Sequence, residues 1–141
     1  MIRNRRIAAA IFAAAILAAA LPALATELTF EINGIEGAEG VVMVALYDEA
    51  NYLKKPIKGQ RVKADGKAVS GTFGDVPPGI YAVIAFHDEN GNGKLDKNLV
   101  GIPTEKLGYS NNAKGLFGPA SFADSKVEVN GSVKSVSLTL D

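Results

Sequence analysis

The sequence predicts an all-β protein: an antiparallel β-sandwich of about seven strands with one long ordered loop. Three observations carry that expectation. Apolar residues recur with a period of two rather than 3.6. Turn-forming pairs such as Asn33-Gly34, Asp65-Gly66 and Asn130-Gly131 punctuate the chain. After residue 25 there is no long helical pattern, internal repeat or low-complexity segment.

Residues 1–25 stand apart. They hold 20 apolar residues, opening with Arg3, Arg5 and Arg6 and continuing as an alanine-rich run from Ile7 to Leu21. Pro22 breaks the run, and Ala23-Leu24-Ala25 places small residues where a signal peptidase reads. This pattern predicts a secretory signal peptide cleaved after Ala25, and hence a periplasmic or secreted protein. The alternative is a retained membrane anchor, but the run is short of the roughly 20 residues a spanning helix needs. No membrane span is expected after cleavage.

The remaining segment, 26–141, is expected to be a single domain. The whole chain is neutral, with 15 basic and 15 acidic residues, but 26–141 carries 12 and 15, a net charge of −3. That charge argues against a dedicated nucleic-acid binder, which needs a basic surplus to release counterions. No cysteine and one histidine exclude a zinc finger, an iron–sulfur site and a catalytic thiol. No Gly-x-Ser-x-Gly is present, so a nucleophile elbow is absent.

Each element has a local justification. Leu28, Phe30 and Ile32 alternate with polar residues until Asn33-Gly34. Val41 to Tyr47 and Ile80 to His87 are continuously apolar, as strands covered on both faces would be. Asp65-Gly66 between 61–64 and 67–73, and Asn130-Gly131 between 126–129 and 133–140, predict two tight hairpins. Val136, Leu138 and Leu140 share a face, while Val133 is out of phase, which predicts a bulge near Lys134 or Ser135. A helical turn or two is expected within Glu49–Lys55, stopped by Pro56. Residues 99–125 carry no clear strand. Their scattered apolar residues predict a folded-back loop whose aromatics plug the sandwich end.

The sharpest chemical signal is His87-Asp-Glu-Asn-Gly-Asn-Gly-Lys-Leu-Asp96. Asp88, Asn90 and Asn92 followed by Gly93 match the D-x-[DN]-x-[DN]-G calcium loop, with the Lys94 carbonyl and Asp96 as further oxygens. Calcium takes six to eight oxygens, and alternate side chains on a tight loop converge on one point. Gly93 permits the turn, and Leu95 is expected to pin the loop to the core. Position 12 is Leu99 instead of glutamate, so this is no EF-hand, and Glu105 is the expected additional donor. The alternative is a loop in which the Asn-Gly pairs serve only as turn residues.

The remaining polar signals are less specific. Gly71 to Tyr81 contains Pro77-Pro78-Gly79, which reads as a shaped inter-strand turn or, alternatively, a binding edge. His87 sits beside Asp88, where an acid–base role is conceivable and a structural one more usual. Tyr109, Ser110, Asn111 and Asn112 could line a ligand site or satisfy loop backbone groups.

Four motifs span nearly all of 26–141: GxVxVALYD at 40–48, FxDVPPGxYAV at 73–83, HDENGNGKLDKNxxGIPTE at 87–105 and GYSNNAxGxFGPxSF at 108–122. On these the chain resembles a bacterial secreted family, DUF2141. The resemblance implies a prealbumin-like or carboxypeptidase-regulatory-like β-sandwich exported to the periplasm, with no established activity. The stretch from the Pro-Pro-Gly turn through the Asn-rich loop is similar to calcium-binding sandwich modules of surface adhesins. That likeness implies Asp88, Asn90, Asn92, Lys94 and Asp96 as the ion site. Leu99-Val100 and Ala120 depart from the family pattern without touching those positions.

The expected function is therefore a binding module with a structural calcium loop and a protein or glycan partner. The alternative is a small periplasmic hydrolase or lyase using His87 and the 105–112 loop. A small-molecule carrier is a third option.

Overall fold

The computed structural model describes residues 24–131 and 134–141. All but the last two residues of the expected signal peptide, and Val133, lie outside the described residues. Within them, the chain forms eight strands: β1 Thr26–Asn33, β2 Val41–Asp48, β3 Lys58–Lys63, β4 Val69–Val76, β5 Gly79–Asp88, β6 Leu107–Tyr109, β7 Lys126–Val129 and β8 Lys134–Thr139. A 3-10 turn at Ser110–Asn112 follows β6, and a single helical turn, α1, spans Phe122–Ser125.

The strands make two sheets. One runs β4-β1-β8; the other runs β3-β2-β5-β6, with β7 also pairing β5. β6 meets β5 at Ile84–Phe86 and β7 meets it at Gly79–Ala82, so the two short strands share one edge. The sandwich expected from the two-residue period is the observed fold. Its pairings are antiparallel except β1 with β8, which run parallel from Leu28↔Lys134 to Asn33↔Thr139. That register is unbroken over 134–139. The shift lies instead between Thr26 and Leu28 against β4.

The inward faces follow the alternation in the sequence. Leu28, Phe30 and Ile32 of β1, Val42, Val44 and Leu46 of β2, and Val136 and Leu138 of β8 are all buried. Leu140, just past β8, continues that face. Full burial of one such side chain contributes about 1.5–3 kcal/mol. The C-terminus links both sheets, because Leu140 N–H donates to the Asn33 carbonyl and Asp141 N–H to the Leu107 carbonyl.

Both expected hairpins are inter-sheet arches. β3 pairs β2 while β4 pairs β1, and β7 pairs β5 while β8 pairs β1. Asp65-Gly66 still makes a tight turn, with Gly66 at φ +77° and Asp65 Oδ1 accepting from Lys67 N–H. The chain reverses here over residues 64–68, not across a two-residue hairpin, and the strands it joins separate into different sheets. In-sheet connections are made by longer segments, 49–57 between β2 and β3 and 89–106 between β5 and β6. No helix forms at 49–55. Asp48 Oδ1 accepts from the Asn51 main chain and side chain, and Leu53 at φ +59° interrupts the helical path.

The segment 99–125 is more structured than expected, since it contains β6, the 3-10 turn and α1. Its aromatics do not plug the sandwich end. Tyr47 points outward from β2 and meets Tyr52 edge-on at 5.9 Å, and Tyr52 meets Phe122 at 5.4 Å. Tyr52 Oη donates to the Ala120 carbonyl. This cluster covers part of the outer face of the larger sheet, so Ala82 and Ile84 are buried although they face away from the core. Phe117, by contrast, is fully exposed.

Candidate functional site

The Asn-rich loop leaves the end of β5, where two buried polar residues begin it. Asp88 is 0% exposed and His87 is 1% exposed. Gly40 packs directly beneath: a Cβ there would lie 2.1 Å from the Asp88 carbonyl oxygen, and its φ is +74°. Only glycine meets both demands.

Asp88 is anchored by the loop it starts. Its Oδ1 accepts from Asn92 N–H at 3.1 Å and its Oδ2 from Gly93 N–H at 2.7 Å. A buried carboxylate without such donors would be strongly disfavoured. Gly93 takes φ +78°, which brings its N–H round to that carboxylate. Asn90 Oδ1 accepts from Asn92 N–H and Asn92 Oδ1 from Lys94 N–H, so the loop advances as consecutive Asx turns. The two side-chain amides then meet one carboxylate: Asn90 Nδ2 donates to Asp96 Oδ2 at 2.6 Å and Asn92 Nδ2 to Asp96 Oδ1 at 2.8 Å.

Of the expected ligand residues, Asn90 and Asn92 thus turn their amide nitrogens to Asp96, while Asp88 faces main-chain N–H groups of the same loop. Glu105 joins them indirectly, accepting from Asp96 N–H through Oε2 at 3.0 Å. It braces the loop. Leu95 is only half-buried and does not enter the core. Among the described residues, no three His, Cys, Asp or Glu side chains are grouped as a metal site. The donor set a cation would find here is two carboxylates supplemented by amide and main-chain oxygens. This composition is compatible with calcium, a hard cation that takes carbonyl oxygens as well as carboxylates, and poorly suited to metals that prefer nitrogen or sulfur.

Beyond Asp96 the loop continues as a narrow finger. Lys97 bridges to Pro103, Asn98 N–H donates to the Ile102 carbonyl, and Asn98 Oδ1 accepts from the N–H groups of Val100 and Ile102. Thr104 N–H closes the base on the Asp96 carbonyl. The sequence signal for this finger is Asn98 followed by Gly101, a turn within an otherwise apolar stretch.

The other candidate residues have different surroundings. His87 points into the sandwich, and its Nε2 donates to the Glu39 carbonyl at 2.7 Å. Its Nδ1 is buried with no hydrogen-bond partner among the described residues, 4.0 Å from Glu89 Oε1. Ser110 is 0% exposed, accepting from Val83 N–H and donating to the Ser125 carbonyl. Asn111 and Asn112 adopt positive φ and bond the main chain of Asp124, Lys126 and Thr139. These three side chains satisfy backbone groups. Tyr109 is half-buried, and its phenol pKa is raised by burial and, to a smaller degree, by Tyr52. His87 and Ser110 are both too enclosed for a substrate to reach in this conformation.

No helix among the described residues is long and apolar enough to cross a membrane. No curated protein and no solved structure matches the chain. A family model described as "Uncharacterized protein conserved in bacteria (DUF2141)" matches residues 30–137, and the chain belongs to that family.

Proposed function

We propose that this DUF2141 sandwich is a periplasmic or secreted binding module whose 88–105 loop is clamped by calcium. The observation that supports this most is the convergence of Asn90 and Asn92 on the Asp96 carboxylate, above an Asp88 anchored by loop N–H groups. Asp88, Asn90, Asn92, Asp96 and the Lys94 carbonyl are the residues that would hold the ion, with Glu105 bracing the loop through Asp96. Calcium would take the place of the N–H donors these oxygens now accept from, the Asn90 and Asn92 amide nitrogens at Asp96 and main-chain N–H groups at Asp88. With two carboxylates in the set, affinity is expected on the order of 0.1–1 mM, suited to extracellular concentrations. The clamped loop would then present a fixed surface to a protein or glycan.

The test is a thermal melt of residues 26–141, which carry all eight strands, in calcium, magnesium or chelator. Calcium at ten times Kd should stabilise by about 1.4 kcal/mol, a rise of several degrees, and magnesium by less. Asp96→Ala should abolish the rise. A melting temperature unchanged at about 10 mM calcium, well above the expected Kd, would refute the clamp.

A further inference from the structure

We infer that two apolar tips flanking β6 dock this protein peripherally on an anionic lipid surface. The first tip is the finger at 97–103. Leu99 is 106% exposed, Val100 78% and Ile102 59%, yet the finger is hydrogen-bonded along both sides. The second tip is Leu116-Phe117, 93% and 103% exposed, in the turn between Lys114 and Pro119. A folded protein rarely holds five large apolar side chains out in water, and such groups mark an interaction surface.

Both tips connect to the same edge. The finger leads into β6 through residues 104–106. The second tip follows the 3-10 turn after β6, and Lys114 pairs with Asp141, whose main chain bonds Leu107.

Charge selects the partner. Residues 97–104 and 106–123 contain Lys97, Lys106 and Lys114 and no acidic residue, a net charge of +3. The rest of 26–141 holds nine basic and 15 acidic residues, a net charge of −6. The apolar tips therefore lie in the two acid-free stretches of an acidic domain. Among the described residues Lys97 has no ion pair, while Lys106 and Lys114 pair with Glu36 and Asp141 near the surface. Exposed pairs of this kind are weak, so these ammoniums can exchange a carboxylate for a lipid phosphate. Protruding aliphatic and phenyl groups in lysine-bearing stretches suit the boundary between headgroups and acyl chains. The rival occupant is a second copy, whose tip would enter the groove of about 420 Å³ formed by Met43, Ala45, Pro56, Ile84 and Phe86.

Co-sedimentation of residues 26–141 with vesicles tests the inference. Sedimentation is run in chelator and again in about 10 mM calcium, since the finger lies within the 88–105 loop; binding in either condition that the tip variants weaken supports the inference whatever becomes of the clamp. Vesicles containing phosphatidylglycerol should bind the protein, and pure phosphatidylcholine vesicles should bind it at least tenfold less. Leu99→Ser and Phe117→Ser should each weaken binding about tenfold with unchanged melting temperature. Ile80→Ser, an exposed apolar position at the start of β5, should bind as the parent does. Three results would overturn the inference: no binding to anionic vesicles in either condition, binding that both tip variants retain, or lipid-free self-association that the tip variants lose.

Discussion

The two segments on either side of β6 are ordered by different balances of forces. Residues 89–106 are held by hydrogen bonds, many of them from main-chain N–H groups to the side chains of Asp88, Asn90, Asn92, Asn98 and Glu105. Residues 110–125 add burial to their hydrogen bonds: Ser110 and Asn111 bond the main chain, Ala120 and Ser125 are enclosed, and Phe122 packs on Tyr52. The first segment has carboxylates gathered at its base and no core side chain. The second has no acidic residue before Asp124 and rests on aromatic rings. Order in the first should therefore respond to cations and acceptor loss, and order in the second to lost apolar contact and to phenol ionisation.

The largest effect that separates the two is expected at Asp88. Asp88→Ala removes the acceptor for two loop N–H groups and should cost about 2–4 kcal/mol. Amide exchange should accelerate across 89–96 while 110–125 stays protected. A smaller loss, about 1.5–2.5 kcal/mol, is expected from Phe122→Ala, because the ring is half-buried and makes one edge contact. Urea unfolding measures it, and the same exchange experiment should show the opposite pattern.

The smallest effect is a pH dependence. Burial raises the phenol pKa of Tyr47, Tyr52 and Tyr109 above the ordinary 10.0. The folded state thus holds these protons more tightly than the unfolded chain does. Their contribution is complete below pH 10 and is lost as pH rises through the raised folded values. Stability measured by denaturant at increasing alkaline pH should decline over that window, and less steeply in Tyr52→Phe.

The sandwich was legible because its evidence is local. Alternation at Leu28, Phe30 and Ile32, and at Val136, Leu138 and Leu140, defines inward faces without reference to partners. Pairing was not legible. Asp65-Gly66 reverses the chain whether the next strand joins the same sheet or the opposite one, and both outcomes need the same residues. The parallel β1/β8 pair depends on where the chain ends after crossing between sheets, which no short window encodes. β6 escaped notice because three residues, one of them Gly108, give too little alternation. The Asn-rich loop was legible in composition and spacing, and the turn of Asn90 and Asn92 toward Asp96 matches that spacing. The bracing role of Glu105, which accepts from Asp96 N–H, required the fold. The structural roles of Ser110, Asn111 and Asn112 likewise depend on backbone groups distant in sequence, at Val83, Lys126 and Thr139.

The measurement that bears most directly on the calcium clamp is a backbone amide NMR titration of residues 26–141 with calcium. The account predicts saturable shifts, with a midpoint on the order of 0.1–1 mM, at residues 88–97 and 105, while the amides of 110–125 remain in place. Absence of saturable shifts in 88–97, or shifts of equal size in the aromatic-packed segment, would contradict it.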